Sequence, residues 1–214
     1  MAKLYFRYGA MNSGKTSAII QVAHNYEEQG MHPIIIKSSI DTKANTKISS
    51  RTGLEREVDY LLKPTDKIIN NIDVVGVDCI IVDEAQFLTK DQVTELFIIT
   101  KLMEKPVICY GLRTDYKAEL FPGSKRLLAL ADELEEIKTI CTCGKAARFN
   151  ARYNLKTGDY IKDGEQVQID DGTVGYKPMC GKCYIENVGL ETENEITYAH
   201  YNKILTRGKA KMCK

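Results

Sequence analysis

The sequence predicts an α/β fold, a parallel sheet with helices on both faces, followed by a smaller, turn-rich unit. Two observations support the sheet. Short runs rich in Val and Ile alternate with longer helical segments over the first two-thirds of the chain. Continuous apolar runs are typical of strands that are buried on both faces, as in a parallel sheet covered by helices. The smaller unit is indicated by closely spaced glycines in the last third.

Predicted strands and helices alternate along the chain, as expected for an α/β fold. Residues 38–55 show no clear periodicity and are predicted to form a mobile loop above the sheet. Its basic residues Lys43 and Arg51 are either phosphate contacts or solvated charges. The predicted strands are LYFRY (4–8), PIIIK (33–37), CIIVD (79–83) and PVICY (106–110). Three helices are predicted, over residues 15–29, 90–104 and 124–131. Gly30 is expected to end the first helix, and Thr89 is the predicted N-cap of the second.

The sequence changes character near residue 139. The stretch NLKTGDYIKDGEQVQIDDGTVGY (154–176) alternates short polar and apolar groups between glycines, which is typical of hairpins and loops. We therefore expect a nucleotide-binding domain over residues 1–138 and a second domain over 139–214. The second domain ends in the basic tail RGKAKMCK (207–214), which we expect to be a solvated chain end.

Composition excludes several classes of protein. With 43% hydrophobic and 28% charged residues among 214, the chain can bury a core. No apolar run approaches the roughly 18–20 residues that span a membrane, and the N-terminus has no signal-peptide core. We expect a cytoplasmic protein with no membrane partner. The net charge of +1 gives no general reason to expect a nucleic-acid partner.

The segment GAMNSGKT (9–16) follows the first predicted strand and opens the first predicted helix. Its pattern, G-x-x-x-x-G-K-T, is that of a P-loop, whose backbone N–H groups bind phosphate oxygens. Gly9 and Gly14 permit the tight turn and a close approach of phosphate. Lys15 would reach the β and γ phosphates, and the Thr16 hydroxyl would bind Mg²⁺. The motif predicts a P-loop (RecA-like) nucleotide-binding domain.

The strand CIIVD ends in two carboxylates, Asp83 and Glu84, followed by Ala85 and Gln86. In P-loop proteins an acidic residue at such a strand end holds Mg²⁺, and we assign this to Asp83. Glu84 would activate either a water, giving nucleotide hydrolysis, or an acceptor hydroxyl, giving phosphoryl transfer. The residues alone leave both reactions open.

Four of the seven cysteines form two close pairs, Cys141 with Cys143 and Cys180 with Cys183. Four thiolates can close a tetrahedral zinc site, which is structural because no ligand position remains for water. The alternative is four unconnected reduced thiols. A zinc ion here would join the ends of a glycine-rich excursion, a lasso spanning residues 146–179.

In combination these motifs resemble the thymidine kinases of type II, the cellular and bacterial kind. The resemblance rests on GAMNSGKT, VDEAQF, GLRTD followed by Tyr116 and Phe121, and C-x-C…C-x-x-C with a tyrosine four residues before the third cysteine. It runs from residue 2 or 3 to about residue 185. Thymidine kinases of this type have a P-loop domain and a zinc lasso, which implies the same fold here.

The resemblance implies an enzyme that transfers the γ-phosphoryl group of ATP to the 5′-hydroxyl of thymidine. ATP, Mg²⁺ and structural Zn²⁺ are the implied cofactors, and a homotetramer is the implied assembly. Glu84 corresponds to the general base, with Lys15 as the second catalytic residue. The implied ATP-binding residues are Gly9, Ala10, Met11, Asn12, Ser13, Gly14, Lys15, Thr16, Asp83, Glu84, Ala85 and Gln86. The implied thymidine-binding residues are Met11, Leu112, Tyr116, Phe121 and Tyr176.

Two departures from the thymidine kinase pattern concern the nucleoside site. The segment IDDGTVGY is one residue longer than usual before its tyrosine, with Asp170 and Asp171 where glycines are common. The aromatic residue at position 116 is Tyr where Phe is also frequent. Selectivity for thymidine over deoxyuridine or other deoxynucleosides is therefore left open.

Two other classes of function are weighed against a kinase. DEAQ beside a P-loop is also found in nucleic-acid-dependent ATPases, but one domain of this size cannot form a two-lobed helicase cleft, and no strongly basic face is present. A nucleotide-gated binding module would not need the intact pair of Asp83 and Glu84.

Overall fold

The structure is a computed structural model that describes residues 1–41, 46–166 and 172–190. The described residues form two compact units. The first consists of Met1–Asp115 and Glu119–Thr139. The second consists of Tyr116–Ala118 and the residues from Ile140 onward. The predictions for Lys43, Asp170, Asp171 and the basic tail lie outside the described residues.

The predicted strands and helices of the first unit occur in the predicted order, with further short elements among them. A short 3₁₀ helix, Ala85–Phe87, follows the strand that ends at Asp83. In chain order the elements are β1 (Leu4–Tyr8), α1 (Lys15–Glu28), β2 (Pro33–Ser38), β3 (Lys47–Ser49), β4 (Glu55–Glu57), β5 (Tyr60–Leu62), α2 (Ile68–Asn71), β6 (Cys79–Asp83), α3 (Lys90–Leu102), β7 (Val107–Gly111), α4 (Pro122–Leu130) and β8 (Glu133–Glu136).

Six strands form one sheet in the order β5-β2-β6-β7-β1-β8, and all five neighbouring pairs run parallel. Successive residues of a strand point to opposite faces. Thus Ile34 and Ile36 of β2 belong to one buried cluster, while Ile35 belongs to another. Both faces of the central strands are apolar, which confirms the reading of continuous Val and Ile runs as a parallel sheet.

Helices cover the two faces of the sheet. Ile19 and Ala23 of α1 pack into the cluster that contains Ile35. Leu96 of α3 and Leu127 of α4 pack into the opposite cluster. The predicted α/β fold with helices on both faces is therefore confirmed.

The start of α3 shows how the sequence sets a helix boundary. Thr89 accepts a hydrogen bond from the Gln92 backbone N–H at 3.2 Å, and the Gln92 side chain accepts one from the Thr89 N–H at 3.1 Å. This reciprocal capping box satisfies two N–H groups that the helix itself leaves unbonded. Thr89 was predicted as the N-cap; Gln92 as its partner was not.

Several short elements of the first unit were not predicted, among them the four-residue helix α2. The edge strands β5 and β8 were not predicted, since β5 has three residues and β8, with the sequence ELEE, is mostly charged. Residues 38–55 were predicted to be irregular, but β3 and β4 pair there as an antiparallel hairpin. Arg51 lies exposed in the turn that connects these strands.

The second unit is built on an antiparallel pair of strands. Its pairing runs from Phe149 opposite Met179 to Asn154 opposite Val174. Phe149 stacks on Tyr184 with ring centroids 4.9 Å apart. The elements of this region are β9 (Thr139–Ile140), β10 (Ala146–Ala147), β11 (Phe149–Asn154), β12 (Val174–Met179) and α5 (Gly181–Asn187).

No helix in the described part of the chain is both long and apolar enough to cross a membrane. The cytoplasmic location inferred from the sequence stays a prediction.

Candidate functional site

The candidate site of the first unit lies at the carboxyl edge of the parallel sheet. The P-loop follows β1, Asp83 ends β6, and β7 lies between these two strands. Neighbouring strands are about 4.8 Å apart, so the ends of β1 and β6 are separated by roughly 9–10 Å. This interval leaves room for phosphate groups between the loop and the carboxylate. The carboxyl edge of an open α/β sheet is also where ligands bind.

The P-loop has the tight backbone that its glycines predict. Asn12 and Gly14 have positive φ angles of 64° and 84°. Gly9 is required for a different reason: a Cβ atom there would lie 2.5 Å from both the Ile137 carbonyl oxygen and Ser13 Oγ. The loop therefore passes too close to its neighbours to accept any side chain at position 9.

Lys15, the first residue of α1, folds back over the loop. Its Nζ donates to the carbonyl oxygens of Gly9 at 3.1 Å and Ala10 at 3.0 Å. Burial lowers the pKa of Lys15, and the negative charges of Glu84 and Asp83 act in the opposite direction. The Lys15 ammonium group is therefore close enough to Asp83 and Glu84 for their negative charges to act on it. Thr16 follows it in the first turn of the helix.

Asp83 is 4% exposed at the end of β6. Its Oδ1 accepts a hydrogen bond from the Glu84 backbone N–H at 2.9 Å. Burial raises the pKa of Asp83 to about 7, with a further contribution from the negative charge of Glu84. A buried carboxylate that repels a neighbouring carboxylate is suited to a cation, and oxygen donors are the ligands that Mg²⁺ prefers. Asp83 and the Thr16 hydroxyl could therefore hold Mg²⁺.

Glu84 adopts the left-handed backbone conformation, with φ 50° and ψ 40°, which is uncommon outside glycine. The half-buried side chain accepts a hydrogen bond at 2.5 Å from Gln86 Nε2 to its Oε2. The donor is a neutral amide, so it orients the carboxylate without supplying a counter-charge. The arrangement leaves the second carboxylate oxygen, Oε1, for another hydrogen bond.

Gln86 is fully buried and connects Glu84 to the end of β7. Its Oε1 accepts from the Leu112 backbone N–H at 3.0 Å. Since a backbone N–H can only donate, Oε1 must face Leu112, and the NH₂ group must face Glu84. A Cβ atom at Gly111 would lie 2.6 Å from Gln86 Oε1. Sequence reasoning assigned Gln86 to ATP binding and missed its role in holding Glu84.

A second feature that sequence reasoning missed is the ion pair of Lys37 and Asp41, with Nζ 3.0 Å from Oδ2. Lys37 is 2% exposed, and in the sheet it lies beside Asp83. Asp41 is close enough to Asp83 for its charge to act on that residue's pKa. The signal in the sequence is the lysine that directly follows three isoleucines at the end of a buried strand.

Three of the predicted thymidine-binding residues belong to the first unit. Leu112, 7% exposed, follows β7, and its carbonyl accepts from Ser124 Oγ. Phe121 precedes α4 and packs edge-on against Phe87, with ring centroids 5.7 Å apart. Met11 is half-buried in the P-loop.

The other two, Tyr116 and Tyr176, belong to the second unit, where both contact the buried side chain of Arg152. Arg152 was not among the predicted site residues.

The four paired cysteines come together in the second unit. Their sulfur atoms all lie within 4.8 Å of one another, and those of Cys143 and Cys180 are 3.5 Å apart. A tetrahedral site with Zn–S bonds of about 2.3 Å has sulfur separations of roughly 3.8 Å. Gly144, with φ 82°, turns the chain after the first pair. The four thiols can therefore hold one metal ion.

Thiolate formation is favoured at Cys141. Burial alone would raise the pKa of its thiol, but hydrogen bonds from the backbones of Cys143 and Cys180, together with those of neighbouring thiols, lower the pKa to about 6. A thiolate is the form that binds a metal.

Comparisons with known proteins identify the family. The profile of the family described as thymidine kinase matches residues 2–184. The chain is 45% identical over 194 residues to the thymidine kinase of Pasteurella multocida (strain Pm70), covering 89% of this chain and all of that one. It is 40% identical over 208 residues to the thymidine kinase of Rhodopirellula baltica (strain DSM 10527 / NCIMB 13988 / SH1), covering 95% of this chain and 97% of that one.

The chain belongs to the thymidine kinase family. This membership confirms the resemblance that the motifs indicated, and the P-loop, the Asp83–Gln86 segment and the cysteine cluster all lie in the matched region. Among solved structures, the chain is similar to a replication initiator DnaA bound to AMPPCP and single-stranded DNA, with 20% identity and a TM-score of 0.41 over 64% of this chain and 41% of that one. A likeness this weak supports no functional inference.

Proposed function

We propose that this member of the thymidine kinase family transfers the γ-phosphoryl group of ATP to the 5′-hydroxyl of thymidine. The observation that carries the proposal is the environment of Glu84. Its carboxylate is oriented by the buried Gln86 amide and lies next to Asp83, at the sheet edge where the P-loop also begins. A general base must be held within hydrogen-bonding reach of the proton that it removes.

In the proposed reaction, Glu84 takes the proton of the 5′-hydroxyl as that oxygen attacks the γ-phosphorus. The bond between the γ-phosphorus and the bridging oxygen breaks, and that oxygen leaves with ADP. The products are thymidine monophosphate and ADP, and the proton remains on Glu84 until it passes to solvent. Gln86 keeps the carboxylate oriented, because its amide donates to Oε2 and leaves Oε1 for the hydroxyl proton.

The P-loop supplies the electrostatic part of the catalysis. Lys15 donates to the Gly9 and Ala10 carbonyls, and a β- or γ-phosphate oxygen would replace these neutral acceptors with a charged one. Bound Mg²⁺ neutralises charge on the phosphate oxygens. Thr16 and Asp83 would hold it, and the other residues of 9–16 and 83–86 would surround the ATP phosphates.

The assignment of thymidine as the acceptor rests on membership of the thymidine kinase family. By membership of the thymidine kinase family, the residues proposed to contact thymidine are Met11, Leu112, Tyr116, Phe121 and Tyr176. Deoxyuridine, or a broader range of deoxynucleosides, is the alternative acceptor. A homotetramer is the proposed assembly.

Zinc is the metal proposed for the four cysteines. A Cys₄ set of the observed spacing suits a structural zinc ion, which would hold together the two ends of the lasso.

Replacing Glu84 with Gln tests this proposal. The amide has nearly the same shape but cannot accept the hydroxyl proton, so kcat should fall by about 100-fold or more while the affinities for ATP and thymidine change little. Glu28→Gln, on the exposed end of α1, is the matched control and should leave kcat unchanged. Equal losses of kcat and of affinity for both substrates would make Glu84 structural.

A further inference from the structure

Arg152 is the largest fully buried side chain in the described residues, with 1% of its surface exposed. It lies in the middle of β11, opposite Tyr176 of β12. Burying a guanidinium group is unfavourable unless its donors are satisfied. No carboxylate in the described ranges forms an ion pair with it. The groups that surround Arg152 therefore indicate the role of an arginine at this position.

The guanidinium group donates hydrogen bonds to uncharged partners. Nε donates to the Tyr176 hydroxyl at 3.1 Å. One terminal nitrogen donates to the backbone carbonyl oxygen of Glu165 at 2.9 Å, and to that of Gln166 at 3.4 Å. These two residues belong to the connection between β11 and β12. Arg152 thus holds the backbone of residues 165 and 166 against β11.

Tyr116 completes the arrangement from a distant part of the sequence. The Arg152 guanidinium carbon lies 3.7 Å from the centre of the Tyr116 ring, a close cation–π contact. The Tyr116 hydroxyl donates to the Gly164 carbonyl oxygen at 2.8 Å. The Tyr116 carbonyl oxygen in turn accepts from the Tyr184 hydroxyl at 2.6 Å. One aromatic ring therefore orients the guanidinium group and contacts the same connection.

Together these contacts hold three successive carbonyl groups, those of residues 164, 165 and 166, from two side chains. We call Arg152, Tyr116 and these three carbonyl groups the clasp. Both side chains form specific bonds: the planar guanidinium forms directed bonds that a lysine could not reproduce, and the Tyr116 hydroxyl forms a bond that phenylalanine could not.

We propose that the clasp sets the position of residues 164–166 and thereby the affinity for the nucleoside acceptor, with Arg152 as a positioning residue. The inference rests on the proposed function, because two of the proposed thymidine contacts, Tyr116 and Tyr176, are the aromatic partners of Arg152. The clasp fixes both rings before a nucleoside arrives, which reduces the ordering cost of binding.

The test compares Arg152→Lys and Tyr116→Phe with two matched controls. Arg148→Lys makes the same chemical change at an exposed position on the same part of the chain. Tyr160→Phe removes the hydroxyl of a tyrosine whose ring contact with Tyr153 does not need it. The KM for thymidine, the KM for ATP, kcat, zinc content and backbone hydrogen exchange of residues 160–166 are measured for each variant.

We expect the KM for thymidine to rise roughly 2- to 10-fold in Tyr116→Phe, which loses one hydrogen bond, and about 10- to 100-fold in Arg152→Lys. The KM for ATP and the zinc content should stay constant. Exchange of residues 160–166 should accelerate in both variants without any substrate, and in neither control. In the double variant, the KM for thymidine should rise by less than the product of the two single-variant increases, because both side chains hold the same segment.

Unchanged exchange and unchanged KM for thymidine in both variants would overturn the proposal. So would an equal weakening of ATP and thymidine binding with loss of zinc, since that pattern means general unfolding. Hydrogen exchange does not depend on catalysis. A parent protein that fails to phosphorylate thymidine would therefore refute the proposed function, while the exchange result would still decide whether the clasp exists.

Discussion

Glu84 occupies a backbone conformation that costs a non-glycine residue about 1 kcal/mol or more, and its surroundings hold it there. Asp83 accepts from its N–H, Gln86 donates to its carboxylate, and Gln86 is itself fixed by Leu112. The direction of the Gln86 amide follows from the Leu112 N–H, which can only donate. At the scale of single residues, the candidate base is thus oriented by a buried relay from the end of β7.

Gln86→Leu tests this relay. Leucine has a similar size but can neither donate to Glu84 nor accept from the buried Leu112 N–H. We expect the free energy of unfolding to fall by about 1–3 kcal/mol and kcat to fall roughly 10- to 100-fold. Denaturant unfolding and steady-state kinetics measure the two effects. Gln21→Leu, on the exposed face of α1, should change neither. Lowered stability with normal kcat would reduce Gln86 to a packing residue.

The two P-loop glycines are required for different reasons, which predicts different costs. In Gly9→Ala the new methyl group would meet the Ile137 carbonyl oxygen and Ser13 Oγ at 2.5 Å. In Gly14→Ala it would meet nothing within 4 Å, and only the positive φ is unfavourable. We expect a loss of about 1–2 kcal/mol for Gly14→Ala and a larger loss for Gly9→Ala. Denaturant unfolding would contradict this if Gly14→Ala were the less stable variant.

At the scale of secondary-structure elements, the sequence predicts those strands and helices that have a clear local pattern of apolar residues. The strands β1 and β6 match their predicted ranges, because their apolar runs are bounded by polar or glycine residues. The edge strand β8, with the sequence ELEE, has no such run and forms only because β1 offers an unpaired edge. The β3–β4 hairpin likewise depends on pairing between short polar segments.

The cysteine cluster makes a prediction at this scale. Cys180 caps α5, its sulfur accepting from the Cys183 N–H, so the same atom serves the helix and the proposed metal site. Cys180→Ser should lower bound zinc from about one ion per chain to much less than one, and should lower the melting temperature of the second unit. The control variant Cys109→Ala, which changes a buried cysteine outside the cluster, should retain the zinc content of the parent protein. Elemental analysis that finds no zinc in the parent protein would exclude a zinc site.

At the scale of the whole molecule, the sequence predicts which residues form the site better than it predicts the contacts between them. The P-loop, Asp83 and the four cysteines are predicted because each motif is local. The clasp and the Gln86–Leu112 contact are not, because each joins residues that only the folded chain brings together. The assignment of Tyr116–Ala118 to the second compact unit has the same origin: the contacts that decide it are distant in sequence.

The most direct test of the account is an assay of ATP consumption with and without thymidine, with every nucleotide product resolved. We predict that ADP and thymidine monophosphate form in equal amounts, and that little ADP forms when thymidine is omitted. Loss of ATP that DNA stimulates, with no nucleoside monophosphate formed, would contradict the account and favour a nucleic-acid-dependent ATPase. The absence of any turnover would withdraw the catalytic role of Glu84.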